Sequence, residues 1–260
     1  MTLHLSKRQY QTLAQIVYDE CGINMHAGKL QLLTTRVAKR LRATGIDSVD
    51  EYIGLLKKSE NELVHYIDAV STNHTFFFRE NHHLEFVLKT VGNTCFLRIW
   101  CAASSSGEEP YSLAVQLKHN GYKFEIYASD ISTDMLSLAQ RGVYHKSKLT
   151  LVPREILINY FQKGRGRWAD HLKVKKEIMQ LVSYDRHNLI TDQSPGVFDI
   201  IFCRNVMIYF DDDTKQKVVD KLYASLERNG YLIFGAAESL VGIQHSFKYI
   251  QPSIYMKTGD

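Results

Sequence analysis

The sequence predicts an α/β protein: a mainly parallel, doubly wound sheet in the larger, C-terminal part of the chain, preceded by a small all-helical domain. Three observations carry this. From residue 95 onward, apolar strand-like runs alternate with segments of helical period, as in a parallel sheet covered by helices on both faces. Residues 97–112, LRIWCAASSSGEEPYS, run from an apolar stretch through a row of small residues into two carboxylates, a proline and apolar helical spacing. That is the strand, turn and helix with which doubly wound proteins hold a nucleotide-like ligand. Before residue 70 there is no strong strand pattern, and Gly22, Gly28 and Gly45 punctuate segments of helical period.

At 260 residues the chain can bury one large core and a small one. Hydrophobic residues at 45% and charged residues at 23% are ordinary for a soluble globular protein. A net charge of +4 is too mild to imply a nucleic-acid partner. The 4 cysteines (Cys21, Cys95, Cys101, Cys203) lack CxxC spacing, so free thiols are expected rather than a disulfide or a metal site. The opening MTLHLSKRQY has no signal-peptide core, and no apolar run approaches membrane-spanning length. A cytoplasmic protein with no membrane insertion is expected.

In chain order, residues 1–70 form the helical domain. Its most informative segment is 29–42, where Leu30, Leu33, Val37 and Leu41 make an apolar stripe and Arg36, Lys39, Arg40 and Arg42 fall away from it. This basic face reads either as a solvated surface or as a docking face for an acidic partner. Segments 50–58 and 61–70 complete the domain. Residues 71–94 form a linker and helix. Within them STNHTFFFR (71–79) carries three adjacent aromatics, which cannot all point one way and so suit a junction packed between two bodies.

The 95–260 domain offers strands at 96–102, 124–129, 198–203 and 231–235, and helices at 110–120, 133–141 and 213–228. Segments 247–250 and 253–256 suit an antiparallel hairpin at one sheet edge. Residues 143–183 break the rhythm. They are long, Lys/Arg-rich and contain KGRGR (163–167) and the alternating LKVK (172–175), which predicts an inserted small antiparallel sheet.

The second strand ends in YASD (127–130), placing Asp130 where an acidic side chain accepts both hydroxyls of a ribose. Dinucleotides and S-adenosylmethionine share that requirement, and electrostatics separates them. Glu108 and Glu109 occupy the helix start where a pyrophosphate would sit, and Pro110 follows. Two carboxylates repel a pyrophosphate and suit a ligand carrying an ammonium and a sulfonium; as simple helix caps they would need no ligand. No GxGxxG spacing is present. The run FDIIFCRNVMIYF (198–210) leads a buried strand into Arg204-Asn205 at its carboxyl end, where burying both groups for packing alone is costly.

Taken together, TNHTFFFRE (72–80), WCAASSSGEEPYSLA (100–114), ASDIS (128–132) and FCRNVMIYF (202–210) resemble the CheR family of chemotaxis receptor methyltransferases, and the resemblance extends from about residue 5 to 257. It implies a class I S-adenosylmethionine-dependent methyltransferase of Rossmann-like fold, with the N-terminal helical domain docking on receptors and a β-subdomain inserted. It places cofactor contacts on Asn73, Thr75, Arg79, one glutamate of GEEPYS (Glu109 before Glu108), Asp130 at the ribose, Asn188-Leu189 at the adenine, and Arg204-Asn205. Arg79 and Tyr209 would lie nearest the transferring methyl.

The implied product is S-adenosylhomocysteine, with no metal. The implied substrates are glutamate side chains on the helical cytoplasmic domains of chemoreceptors, converted to methyl esters. The KGRGRW loop could bind a receptor C-terminal peptide, as the insertion does in some members.

A glutamate side chain, with a reference pKa of about 4.3, is already a nucleophile at neutral pH. No general base is needed, and alignment at roughly 3 Å in a drier site supplies the rate. Arg79 should orient that carboxylate without gripping it tightly. The competing expectations are a methyltransferase acting on RNA or a small molecule, and a signalling module that binds the cofactor or a second messenger without catalysis.

Overall fold

A computed structural model of the chain describes residues 3–92 and 95–259. Residues 1, 2, 93, 94 and 260, among them the outer limits of the expected domains and the end of the expected linker, lie outside the described residues.

The first domain is helical. α1 (Lys7–Cys21) starts at a capping box, in which the Ser6 hydroxyl accepts from the Gln9 amide and the Gln9 side chain answers. α2 (Leu30–Thr44), α3 (Val49–Leu56) and α4 (Glu60–Val70) follow, the last two capped by Ser48 and Ser59. Their core gathers Leu13, Val17, Leu33, Val37, Tyr52, Tyr66 and Ile67.

Two details depart from the sequence reading of α2. Leu30 is exposed, so the buried stripe is Leu33, Val37 and Leu41. Arg40 is not free on the basic face: its guanidinium donates from Nε to Glu62 Oε1 at 2.9 Å and from Nη2 to Glu62 Oε2 at 2.7 Å, and Tyr52 adds a hydrogen bond to the same carboxylate. Burial alone would raise the Glu62 pKa, but the hydrogen bonds from Arg40 and Tyr52 outweigh it and hold the carboxyl below its usual range.

α5 (His82–Thr90) then leads into the larger domain. There β1 (Phe96–Ala102), α6 (Glu108–His119), β2 (Lys123–Asp130) and α7 (Thr133–Arg141) give the expected alternation. The insertion holds β3 (Val143–His145), α8 (Arg154–Tyr160), β4 (Phe161–Lys163), β5 (His171–Val174) and α9 (Lys176–Met179), with an antiparallel sheet in the order β3-β5-β4. β6 (Val182–Arg186), β7 (Phe198–Cys203), α10 (Asp212–Ala224), β8 (Leu226–Phe234), β9 (Phe247–Gln251) and β10 (Ile254–Lys257) complete the chain. The main sheet has 7 strands in the order β6-β2-β1-β7-β8-β10-β9. Pairing from β6 through β8 is parallel, and β10 runs antiparallel to both β8 and β9.

β1 shows why the sheet is doubly wound. Leu97, Ile99 and Cys101 face the core shared with α5 and α6, while Trp100 and Ala102 face the core shared with α10, as period-two alternation requires. Three elements differ from the sequence pattern. β6 is a parallel strand whose polar composition, VSYDR, hid it at the end of the insertion. The helix expected to reach residue 228 stops at Ala224, and β8 begins at Leu226 rather than 231. Its register against β7 shifts between Phe198 and Ile200, which accommodates the polar start of the strand.

Phe77 keys the inserted sheet to the body: fully buried, it meets Tyr144 edge-on at 4.8 Å and Phe161 at 5.5 Å between ring centroids. The helical domain is latched too. Tyr18 donates to Asp211 Oδ2 at 2.7 Å, and the Asn24 amide donates to the Tyr209 carbonyl at 2.9 Å. Gly22, at φ +68°, lies so close to α10 that a Cβ would sit 2.7 Å from Thr214 Cγ2. Among the described residues no helix is long and apolar enough to cross a membrane.

Arg40→Ala would leave Glu62 as an uncompensated, mostly buried charge. Denaturant unfolding at neutral pH should show a loss of about 3 kcal/mol. Because the Glu62 pKa is depressed, the pair's contribution is present above the unfolded carboxylate value and disappears as pH falls through the folded one. The variant and parent should therefore converge in acid.

Candidate active site

In an open parallel sheet the ligand crevice lies beyond the carboxyl ends of the strands, and here β1, β2 and β7 end together. The turn after β1 is tight: Ala103, Ser105 and Gly107 are all left-handed, at φ 66°, 49° and 90°. At Gly107 a Cβ would meet Ala139 Cβ at 2.7 Å and the hydroxyls of Tyr144 and Tyr184 at 2.9 Å, so only glycine lets the loop close over α7 and the inserted sheet.

Asp130, at the end of β2, is buried and stitches two loops together. Its Oδ2 accepts the Ser105 amide at 2.7 Å and its Oδ1 the Ser132 amide at 2.9 Å. Burial pushes its pKa up against the pull of these N–H groups.

The two glutamates at the start of α6 part company. Glu108 accepts from Ser106 Oγ at 2.7 Å and pairs with Lys148 at 3.0 Å, on the side of the inserted sheet. Glu109 points into the crevice and accepts from Arg204 Nη1 at 2.6 Å. Burial raises the Glu109 pKa, and the Arg204 charge opposes that rise. Arg204, whose side chain is only 6% exposed, also donates from Nη2 to Glu80 Oε2 at 3.0 Å and to the Arg79 carbonyl at 2.7 Å.

Arg79 adjoins this cluster, its Nε 3.8 Å from Glu80 Oε1. It donates to the His74 carbonyl at 2.9 Å, and its guanidinium sits 5.8 Å from the Phe76 ring centroid. Asn205 is left-handed at φ 59°, and its amide donates to Glu238 Oε2 at 2.7 Å. Glu238 also receives the amides of Gly235 at 2.7 Å and Ile208 at 3.3 Å.

Residues 73–256 match the family model described as CheR methyltransferase, SAM binding domain, and residues 8–71 match CheR methyltransferase, all-alpha domain. The chain belongs to the CheR methyltransferase family. Similar proteins include the chemotaxis protein methyltransferases of Borreliella burgdorferi, 34% identical with 99% of this chain and 96% of the relative covered, and of Salmonella typhimurium, 34% identical with 99% and 93% covered. Chemotaxis protein methyltransferase 2 of Pseudomonas aeruginosa is 35% identical, with 97% and 94% covered.

In this CheR chain, every residue that the resemblance nominates for the cofactor, and Tyr209 with them, lines one cavity. Asn73, Thr75 and Arg79 come from the segment before α5, Glu109 and Asp130 from the β1 and β2 ends, and Arg204, Asn205 and Tyr209 from the β7 end. Asn188 and Leu189 come from the loop after β6. The wall also includes Cys21 and Ile23 of the helical domain. Asn188 uses its side chain locally: Nδ2 donates to the Glu20 carbonyl at 2.6 Å and Oδ1 accepts the Ile190 amide at 2.9 Å. Lys221 of α10 supports that loop through the carbonyls of Leu189, at 2.8 Å, and Asp192.

The donor set fits S-adenosylmethionine. Asp130 is placed for a diol, Glu109 and Glu80 offer negative charge to a cation, and the buried hydroxyls of Ser104 and Ser105 have no protein partner. Arg36, Lys39 and Arg40 line a second groove, between the helical domain and the α7–β3 region, and Ser71 and Asn73 line both this groove and the cavity. Arg42 is exposed and lies outside it.

Sequence reasoning missed Glu80 and Glu238 as site residues. Glu80 stood inside a motif quoted for its arginine, and the only signal for Glu238 was its place just beyond the carboxyl end of β8.

Gly107→Ala should lower stability by about 2–4 kcal/mol through left-handed strain and overpacking together. Thermal unfolding measures that loss. Titration calorimetry on the folded fraction should find S-adenosylmethionine binding weakened as well.

Proposed function

We propose that this protein transfers the methyl group of S-adenosylmethionine to glutamate side-chain carboxylates on the cytoplasmic helices of chemoreceptors, as a step of chemotactic adaptation. The observation that carries the reading is the convergence of Glu109, Arg204, Asp130, Arg79 and Tyr209 on one cavity, in a chain of the CheR family. When bound, S-adenosylmethionine supplies an electrophilic methyl group on a sulfonium.

The protein's own residues do the rest by holding and orienting. Asp130 takes the ribose hydroxyls and Glu109 the positive charge, while Asn73, Thr75, Arg204 and Asn205 frame the ligand and Asn188-Leu189 flank the adenine. Arg79 orients the incoming carboxylate, with Tyr209 beside it. That carboxylate is ionised at neutral pH and needs no base. The buried histidine nearest the cluster suits this scheme: burial, with the Arg204 charge adding to it, lowers the His83 pKa to about 3, so it stays uncharged at neutral pH. The buried walls exclude water, which favours a transfer in which opposite charges cancel.

Receptor docking falls to Arg36, Lys39 and Arg42, on the helix that Arg40 anchors to Glu62. These cations lead toward the groove that shares Asn73 with the cavity. The β3-β5-β4 sheet, with half-exposed Trp168 under Arg167 at 5.7 Å, is the candidate seat for a receptor C-terminal peptide.

The direct test is methyl transfer from labelled S-adenosylmethionine to receptor fragments with and without their C-terminal tails. The product should be a base-labile methyl ester; a base-stable N-methyl product, or label in RNA alone, would refute the substrate class.

Arg79→Ala should cut turnover by about 100-fold or more, the scale on which misplaced alignment acts, while circular dichroism reports an unchanged fold. Near-normal turnover would remove Arg79 from the chemistry. Charge-guided docking should also weaken with salt. The receptor KM is expected to rise between low and high ionic strength in the parent and to rise less in Lys39→Ala/Arg42→Ala.

A further inference from the structure

The insertion reaches the reaction site through one side chain that the chemistry above does not use. Lys148 stands in the turn between β3 and α8. Its Nζ donates to the Thr75 carbonyl at 2.7 Å and lies 3.0 Å from Glu108 Oε1. Its own carbonyl accepts the Phe77 amide at 3.2 Å. One residue therefore grips the 75–77 backbone twice and ties it to the start of α6.

That backbone has no regular structure to fix its path. Residues 72–76 belong to no helix or strand, so their polar groups depend on contacts with other elements. Yet the same segment carries Asn73, Thr75 and Arg79 to the cavity. The His74 carbonyl accepts from Arg79 Nη1 at 2.9 Å, and the next carbonyl, that of Thr75, accepts from Lys148. A shift of the 74–75 peptide would move the Arg79 guanidinium with it.

Lys148 itself is absent from the cavity wall and lines the neighbouring groove, beside Glu108. It can act on a ligand in the cavity only through the residues it holds or through its charge. Glu108 is fully buried, and Lys148 is the cation paired with it. Truncating Lys148 thus has two separable consequences. A buried carboxylate loses its counter-ion, and the Thr75 carbonyl loses its donor.

We propose that Lys148 is a positioning residue: by clamping the Thr75–Phe77 backbone to Glu108, it sets the segment that presents Asn73, Thr75 and Arg79 to the cofactor and the transferring methyl. The inference rests on the cofactor and substrate placement proposed above. It makes the inserted sheet a working part of the methyl-transfer site, whatever else that sheet binds.

The experiment combines titration calorimetry with S-adenosylmethionine and steady-state methyl transfer to a receptor fragment, both on the full chain. Lys148→Met keeps the bulk and removes the donor and the charge. It should weaken S-adenosylmethionine binding by about three- to tenfold and lower kcat by about tenfold or more, the scale on which displaced groups act. Charge alone predicts the opposite sign for binding, since losing a cation favours a cationic ligand. Lys148→Met/Glu108→Gln leaves the net charge unaltered and no orphaned carboxylate. It should melt at a higher temperature than Lys148→Met, while kcat and cofactor affinity stay low relative to Glu108→Gln alone.

Affinity and kcat in the double variant equal to those of Glu108→Gln overturn the proposal, because Lys148 would then only neutralise Glu108. So does a change in Lys148→Met confined to the receptor KM, which would make Lys148 a docking cation. Should Lys148→Met not fold, the double variant reads the same quantities. A parent protein that neither binds S-adenosylmethionine nor methylates the fragment overturns the placement proposed above and this inference with it. An active parent beside an unaffected Lys148→Met overturns the role of Lys148 alone.

Discussion

The site depends on one buried guanidinium. Arg204 emerges from the end of β7 and reaches Glu109 at the start of α6, Glu80 before α5, and the carbonyl of Arg79. Glu109 lies 95 residues from Arg204 in the chain, and the Arg79 carbonyl and Glu80 lie 125 and 124. Removing a charged side chain from water is expensive unless it is paired and hydrogen-bonded, so the fold must bring both carboxylates to Arg204 at once. That requirement fixes the β7 end, the first helix of the sheet domain and the segment between the domains relative to each other.

The surrounding packing makes this arrangement stiff. β1 feeds one core on each face of the sheet, so neither layer can shift without the other. Phe77, three residues before Glu80 in the chain, is gripped by Tyr144 and Phe161 of the insertion. Glu238 gathers the amides of Asn205, Ile208 and Gly235 and so holds the β7 and β8 ends in one piece. The phenylalanine run is thus a wedge whose tail is the polar wall of the cavity.

Much of this was legible in the sequence because local pattern and global role agree there. The β1 strand and turn combine an apolar run, small residues and helix-start carboxylates, and each signal points to the same structure. The Arg204-Asn205 step was visible because polar residues interrupting a buried run demand a reason. β6 was hidden because an edge strand with one partner needs little apolar content, and VSYDR carries little. The end of α10 was overrun because LERNGY has no proline and its polar residues are as compatible with a helix as with a bulged strand start. Arg40 read as surface charge because helical spacing says where a residue points and not what waits there; its partner Glu62 sits on another helix. Glu238 was out of reach for the same reason, since its partners are backbone amides that composition does not record.

The helical domain does more than stand beside the sheet. Its Cys21 and Ile23 face the cavity, its Glu20 carbonyl receives Asn188, and its Asn24 amide holds the Tyr209 backbone. The boundary between the two family models at residues 71–73 is therefore a boundary in chain order only. In space, the wall of the pocket is assembled from both sides of it. A chimera that exchanged helical domains at that point would replace part of the pocket in the same cut. Grafting a different helical domain onto this scaffold means carrying the 18–24 segment of the parent along with the sheet.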